Sequence, residues 1–171
     1  IPNFNQPKWT AYRPESGKLY IAEGRSGAVQ ILDSANFKRI GLVQFSEKAN
    51  NLRFNAMTGE MLVGVGKTHG AIGIFDTYTS TLVGNIALPG VPKQFEIDGD
   101  RILVNIPTIN QVAVVSRSHQ SVLATWSIGS DHANVPMALD RIHRRLLLGC
   151  ESGHFLVMDA EDGHLICSVD I

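Results

Sequence analysis

The residues best suited to bind a ligand in this sequence are charged and amide side chains in short polar loops between apolar runs. The candidates are Arg25, Lys48, Asn50, Lys67, Lys93, Asp131, Asn134 and Glu151. Lys and Arg favour anionic groups, because they carry a positive charge and donate several hydrogen bonds. Loops on a rigid scaffold are where binding groups concentrate. The sequence therefore predicts a loop surface whose ligand is a small anion or a protein partner.

Three histidines fall in the same set of loops. They are His69, His132 and His154, which are separated by 63 and 22 residues. Imidazole is a common ligand of transition metals, so the three side chains would hold a metal ion or a haem if they converged. Their spacing matches no metal-binding motif, and three solvated loop histidines are the simpler interpretation. No cofactor is therefore predicted.

No catalytic motif is present. The sequence contains no Gly-x-Ser-x-Gly and no His-Glu-x-x-His. Residues 64–68, GVGKT, resemble the end of a phosphate-binding loop, but the first glycine of that motif is missing and no helix is expected to follow. The residues therefore favour a binding module over an enzyme.

Composition narrows the class of protein. The 171 residues are 44% hydrophobic and 18% charged, which is typical of a globular domain. The net charge of −1 creates no overall basic field, so nucleic acid and anionic lipid are not favoured as partners. No apolar run approaches the ~20 residues of a membrane-spanning helix, and membrane insertion is not predicted. The chain begins Ile1-Pro2 without a leader pattern, so its localisation cannot be read directly.

A repeat of about 42 residues is the main organising pattern. An apolar run that follows a turn recurs at steps of 42, 41 and 44 residues, at Leu19, Met61, Ile102 and Leu146. A second run keeps the same phase at steps of 43, 40 and 43 residues, at Val29, Ile72, Val112 and Phe155. A period of ~40 to 50 residues is typical of the four-stranded blades of a β-propeller.

Each repeat contains four short apolar runs, rich in β-branched and aromatic residues and separated by polar turns. None continues at helical spacing, so the prediction is all-β. Asp33, Asp76 and Asp159 each close the third run, where a short carboxylate can accept backbone N–H bonds of the following turn. We interpret these three residues as turn formers and not as catalytic groups.

A lone four-stranded sheet of this kind is apolar on both faces, so the repeats are expected to pack face to face as blades. The predicted fold is one β-propeller domain over residues 1–171, with four-stranded antiparallel blades at about 7–48, 49–90, 91–133 and 134–171. In such a blade the loops from strand B to C and from strand D to the next A share one rim, which carries the candidate binding residues. Cys150 and Cys167 would lie on the second and fourth strands of one sheet, too far apart for a disulfide, and both are interpreted as small buried residues.

The repeats resemble those of the YVTN-type β-propellers of bacteria and archaea, in which a Gly-Lys turn leads to Leu-Tyr-Val and then to Val-x-Val-Ile-Asp. The resemblance rests on residues 17–22, GKLYIA, on residues 27–34, GAVQILDS, and on residues 74–77, IFDT. The third repeat departs from the pattern, because Ser116 replaces the turn aspartate. WD40 repeats share the architecture, but their Gly-His and Trp-Asp pairs are absent from the expected positions.

This resemblance implies seven or eight blades and export to the periplasm or the cell exterior. Four repeats then leave two alternatives: a closed four-bladed propeller, or part of a larger ring that further blades or self-association would complete. The predicted function is a non-enzymatic scaffold that presents its loop rim to a protein, a surface component or an anionic ligand. The alternative is an enzyme or redox accessory, since propellers of similar architecture include lactonases, lyases and the cofactor-holding domains of dehydrogenases and nitrite reductases.

Overall fold

The computed structural model describes residues 3–171, and Ile1 and Pro2, with which the predicted domain begins, lie outside the described residues. Sixteen strands form four antiparallel sheets, each built from four strands consecutive in the chain. Single turns of 3-10 helix at Pro14–Ser16 and Pro107–Ile109 are the helical elements of this range. No helix within residues 3–171 has the length and apolar character needed to cross a membrane. The all-β prediction is confirmed, and each sheet is called a blade below.

The chain forms two compact units, residues 3–86 and Ala87–Ile171. That both units belong to one domain stays a prediction. Blade 1 lies in the first unit and consists of β1 (Pro7–Arg13), β2 (Lys18–Glu23), β3 (Ala28–Asp33) and β4 (Arg39–Gln44). Blade 2 follows and consists of β5 (Ala49–Asn55), β6 (Glu60–Gly66), β7 (Gly70–Asp76) and β8 (Leu82–Leu88), whose last two residues pass into the second unit.

The second unit contains the other two blades. Blade 3 consists of β9 (Phe95–Asp98), β10 (Arg101–Ile106), β11 (Gln111–Ser116) and β12 (Ser121–Ser127). Blade 4 consists of β13 (Met137–Asp140), β14 (Arg145–Cys150), β15 (His154–Asp159) and β16 (Leu165–Asp170).

Within each unit the two blades share a buried apolar layer. In the first unit, Tyr20, Ala22, Val29 and Ile31 of blade 1 belong to one cluster with Met61, Val63, Val65 and Phe75 of blade 2. In the second unit, Leu103, Val112 and Val114 of blade 3 belong to one cluster with Leu146, Leu148, Leu156 and Met158 of blade 4. Because side chains alternate along a strand, each blade has two faces.

The turn aspartates have the structural role that the sequence predicts. Asp33 accepts the backbone N–H of Ala35 at 2.7 Å, and Asp76 and Asp159 accept backbone N–H groups of their own turns. In blade 3, where Ser116 replaces the acid, Asp100 supplies the carboxylate from a neighbouring turn and accepts the Ser116 hydroxyl at 2.7 Å. The same turn is therefore stabilised by a carboxylate in all four blades.

The cysteine prediction is half right. Both thiols are free, as expected, and Cys150 is buried in the blade 3–blade 4 cluster. Cys167, however, is exposed. It lies on β16, in which every residue is exposed, so its strand contributes nothing to the buried layer.

Candidate functional site

Three of the predicted cations meet in one pocket of the first unit. The pocket has a volume of about 500 Å³ and is lined by Gln6, Arg25, Ser26, Gly27, Ser46, Glu47, Lys48 and Lys67. We call it the cationic pocket. Its walls are the loop between β2 and β3, the loop between β4 and β5, and the end of β6, which matches the predicted rim of B–C and D–A loops.

Backbone hydrogen bonds hold these loops together. The N–H of Phe45 donates to the carbonyl of Gly27 at 2.9 Å, and the N–H of Gly66 donates to the carbonyl of Lys48 at 2.9 Å. Gly27 has a φ of +71°, a conformation that favours glycine, and its Cα faces the backbone of residues 45–47. The glycine lets two loops from neighbouring parts of the chain approach closely.

Glu47 organises the third wall of the pocket. Its carboxylate accepts the backbone N–H groups of Lys67, Thr68 and His69, the bond from Thr68 being 3.0 Å long. The hydrogen bonds from Thr68 and Lys67 are the main reason why the pKa of Glu47 is lowered from its ordinary value. Its oxygens are therefore engaged by the loop that carries Lys67.

The cationic side chains of the pocket are exposed and unpaired. Among the described residues 3–171, none of Arg25, Lys48 and Lys67 forms an ion pair through its side chain. Three positive charges therefore share one concave surface with a single carboxylate, although the whole chain is close to neutral. Clustered like charges around a concavity raise the local concentration of counter-ions.

The remaining predicted residues lie elsewhere. Asn50 is half-buried on β5, outside the pocket, and Lys93, His132 and Glu151 are exposed in loops of the second unit. Asn134 is fully buried, and its Nδ2 donates to Asn105 Oδ1 at 2.7 Å, so its amide is engaged inside the fold.

In the second unit, Asp131 joins two residues of the loop between β14 and β15. It accepts the Ser152 hydroxyl at 2.7 Å and lies 2.5 Å from Nδ1 of His154. The hydrogen bond and the charge of Asp131 raise the pKa of His154 above its ordinary value, and the same contact lowers the pKa of Asp131. A carboxylate of the D–A loop thus holds the following B–C loop, as Glu47 does in the first unit.

We expect the Asp131–His154 contact to be measurable as a pH effect. A raised folded-state pKa of His154 means that its stabilising contribution is complete below the imidazole's ordinary pKa of about 6.5 and is lost as the pH rises through the folded value. In NMR titrations, Asp131→Asn should shift the His154 pKa back toward its ordinary value. Asp170→Asn is the control: Asp170 lies 3.5 Å from Nε2 and is almost fully exposed, so its effect should be smaller. An unchanged His154 pKa in Asp131→Asn would contradict this assignment.

The histidine prediction receives no direct test. His69 lies 3.6 Å from Glu47 and His154 contacts Asp131. The metal or haem site that would join them to His132 stays an untested alternative to three solvated histidines. Within residues 3–171, one group has three ligand-type side chains within 4.8 Å of one another: Asp159, Asp162 and His164. It is a turn of blade 4, and Asp159 and Asp162 there already accept backbone N–H bonds.

Sequence reasoning missed several members of these sites. Gln6, Ser26, Gly27 and Ser46 line the cationic pocket, and Ser152 contacts Asp131. Of these residues, Gly27 could have been predicted from the sequence, because two glycines flank Arg25-Ser26 and tight loops favour glycine. The small hydroxyl residues have no pattern of their own.

The comparisons with known proteins bear on the fold. No protein-family model matches the sequence, and no curated protein matches it either. Among 1348 similar solved chains is hydrazine synthase of Kuenenia stuttgartiensis, with a TM-score of 0.85 and 15% sequence identity over 99% of this chain and 50% of that one. The chain thus spans about half the length of that protein's chain.

Four antiparallel four-stranded blades, together with this structural similarity, define the chain as a β-propeller protein. The predicted fold class is confirmed. Membership of the YVTN-type family stays a prediction, as does a larger number of blades. At 15% identity, the similarity to hydrazine synthase shows a shared fold and carries no information about activity.

Proposed function

We propose that this β-propeller is a non-enzymatic binding module whose cationic pocket takes an anionic ligand. The observation that carries the proposal is the convergence of Arg25, Lys48 and Lys67 on one pocket with exposed, unpaired charges. An anion bound there gains several charge-assisted hydrogen bonds, which are stronger than neutral ones.

The groups around the cations support binding of a small anion. Ser46 adds a hydroxyl donor to the pocket wall, whereas the Ser26 hydroxyl already donates to Glu23. The volume of about 500 Å³ lies in the range of small-molecule sites. Glu47 is the one carboxylate of the wall, and its oxygens are engaged by backbone N–H groups. The arrangement therefore offers an anion several cationic donors, and its one carboxylate is not free to act as a general base.

Isothermal titration calorimetry at low ionic strength tests the proposal, with inorganic phosphate, sulfate and citrate as probes. We expect at least one probe to bind, and Arg25→Gln and Lys67→Gln each to weaken its affinity by roughly 10-fold or more, because a hydrogen bond to a charged group contributes about 1.5–3 kcal/mol. Added salt should weaken binding as well, since the pocket is open to solvent.

Lys38→Gln is the matched control. Lys38 is an exposed lysine of the same unit that does not line the pocket, so its removal changes the net charge equally and should leave the affinity unchanged. The proposal fails if no probe binds, or if Lys38→Gln weakens binding as much as Lys67→Gln does.

A further inference from the structure

A second pocket of the first unit adjoins the cationic pocket. It has a volume of about 300 Å³ and lies between the end of β4 in blade 1 and the strands β6 and β8 of blade 2. Phe45, Val65 and Leu82 supply its apolar wall, and Gln44 and Asn85 add uncharged amides. We call it the apolar pocket. None of the residues that line it, all of them within the described residues 44–85, carries a charge.

The apolar wall is largely preformed. Phe45 and Val65 are only 7% and 5% exposed, and both belong to the buried cluster of blades 1 and 2. The Phe45 ring packs directly over Gly73 of β7, where a Cβ would collide with it. Leu82 is 53% exposed, so a ligand that covers it removes apolar surface from water. An apolar group therefore binds there at little cost in ordering the protein.

Three features join the two pockets. Ser46 lines both of them. Gln44, in the wall of the apolar pocket, donates from Nε2 to the carbonyl of Ser26, in the wall of the cationic pocket, at 2.8 Å. Along the chain, Val65 of the apolar pocket is followed two positions later by Lys67 of the cationic pocket. One small molecule can therefore contact both pockets.

The two pockets favour different chemical groups. Arg25, Lys48 and Lys67 bring three positive charges to one pocket, whereas the other is lined by uncharged residues. A second ionised group of a ligand would lose its hydration in the apolar pocket without gaining a partner there, which costs free energy. An apolar body gains free energy there in proportion to the area that it buries. The pair of pockets therefore favours a ligand whose charge lies at one end only.

We propose that the two pockets together bind an amphiphilic anion, a small molecule with one anionic head group and a short uncharged apolar body. The head group lies among the cations of the cationic pocket, and the apolar body lies against Phe45, Val65 and Leu82. This inference rests on the proposed function for its head group, and it adds the class of ligand, which the cations alone do not determine. The volume of about 300 Å³ lies at the lower end of the range for small-molecule sites, so the body is a short one.

Isothermal titration calorimetry with straight-chain carboxylates tests the proposal. Butanoate, hexanoate and octanoate carry the same head group, so their affinities differ only through the apolar body. Each buried methylene contributes up to about 4-fold in affinity. We expect octanoate to bind at least roughly 10-fold more tightly than butanoate, and phosphate to displace octanoate by competing for the cations.

Leu82→Gln removes apolar surface from the wall, and Leu123→Gln is its matched control. Leu123 is 57% exposed on β12 of the second unit and lines neither pocket. Leu82→Gln should weaken octanoate binding by roughly 3-fold or more and leave phosphate binding unchanged, whereas Leu123→Gln should change neither. Lys67→Gln should weaken the binding of both ligands, because both place a negative charge among the cations.

The outcomes separate this proposal from the one on which it rests. The amphiphilic ligand is overturned by equal affinities for butanoate and octanoate, or by octanoate binding that Leu82→Gln weakens no more than Leu123→Gln does. Octanoate binding that Lys67→Gln leaves unchanged also overturns it, because the head group then lies outside the cationic pocket. In each of these cases the anion site itself stands if phosphate binding still depends on Lys67, and it falls if phosphate, sulfate and citrate all fail to bind.

Discussion

Gly27→Ala is expected to lower the free energy of unfolding by about 3 kcal/mol, from two separate causes. The φ of +71° disfavours any residue with a Cβ, at a cost of roughly 1–2 kcal/mol. The added methyl group would also overlap the carbonyl oxygen of Glu47 and come within 3.1 Å of that of Phe45. Overpacking against backbone that cannot move aside adds roughly 1–3 kcal/mol.

A matched glycine separates the two causes. Gly99 has a φ of +64°, but a Cβ added there would meet nothing within 4 Å. Gly99→Ala should therefore show the backbone cost alone, about 1 kcal/mol in urea unfolding at pH 7. Because Gly27 lines the cationic pocket, Gly27→Ala should also weaken anion binding, whereas Gly99→Ala should not. Equal unfolding free energies for the two variants would show that the loops do not approach as closely as described.

Asp98→Asn is expected to lower the free energy of unfolding by about 2 kcal/mol at pH 7, because it leaves two arginines without their main partner. Asp98 is 13% exposed and receives both Nη atoms of Arg144, at 2.9 and 2.7 Å, together with Nη2 of Arg101 at 2.6 Å. Glu161 pairs with both arginines but is 58% exposed, so it compensates only in part.

The loss should depend on pH in a defined window. The hydrogen bonds from Arg144 lower the pKa of Asp98 from 3.8 to about 2. A lowered folded-state pKa stabilises the protein above the unfolded value, and the contribution disappears as the pH falls from about 4 to about 2. Wild type and Asp98→Asn should therefore differ most at neutral pH and converge near pH 2 in urea unfolding.

Asp162→Asn is the control for this variant. Asp162 pairs with His164, but its side chain is 67% exposed, and exposed ion pairs contribute about 0–1 kcal/mol. A difference between wild type and Asp98→Asn that persists unchanged at pH 2 would mean that the arginine contacts are not its source.

Much of the fold could be predicted from the sequence because the interactions that determine it are local. The short apolar runs around Leu19, Met61, Ile102 and Leu146 depend only on neighbouring residues, and their length and composition predict strands. The turn carboxylate of Asp33 binds a backbone N–H two residues away, so its role is contained within the turn. Arg25, Lys48 and Lys67 were placed on one rim because the order of strands in a blade decides which loops share an edge.

The contacts between loops could not be predicted from the sequence. Glu47 binds backbone groups at least 20 residues away, Asp131 binds His154, and Arg144 reaches Asp98 across 46 positions. Which of the rim residues meet depends on the distance between neighbouring blades, and that distance is decided by packing of the buried layers.

The sequence by itself determined the repeat, the strands and the turns of this protein, because short apolar runs and turn-forming residues act over a few positions. Only the tertiary structure decided which cations share a pocket, and that Asn134 is buried while Cys167 is exposed. Those outcomes depend on contacts between residues far apart in the chain, and no local sequence pattern predicts such contacts.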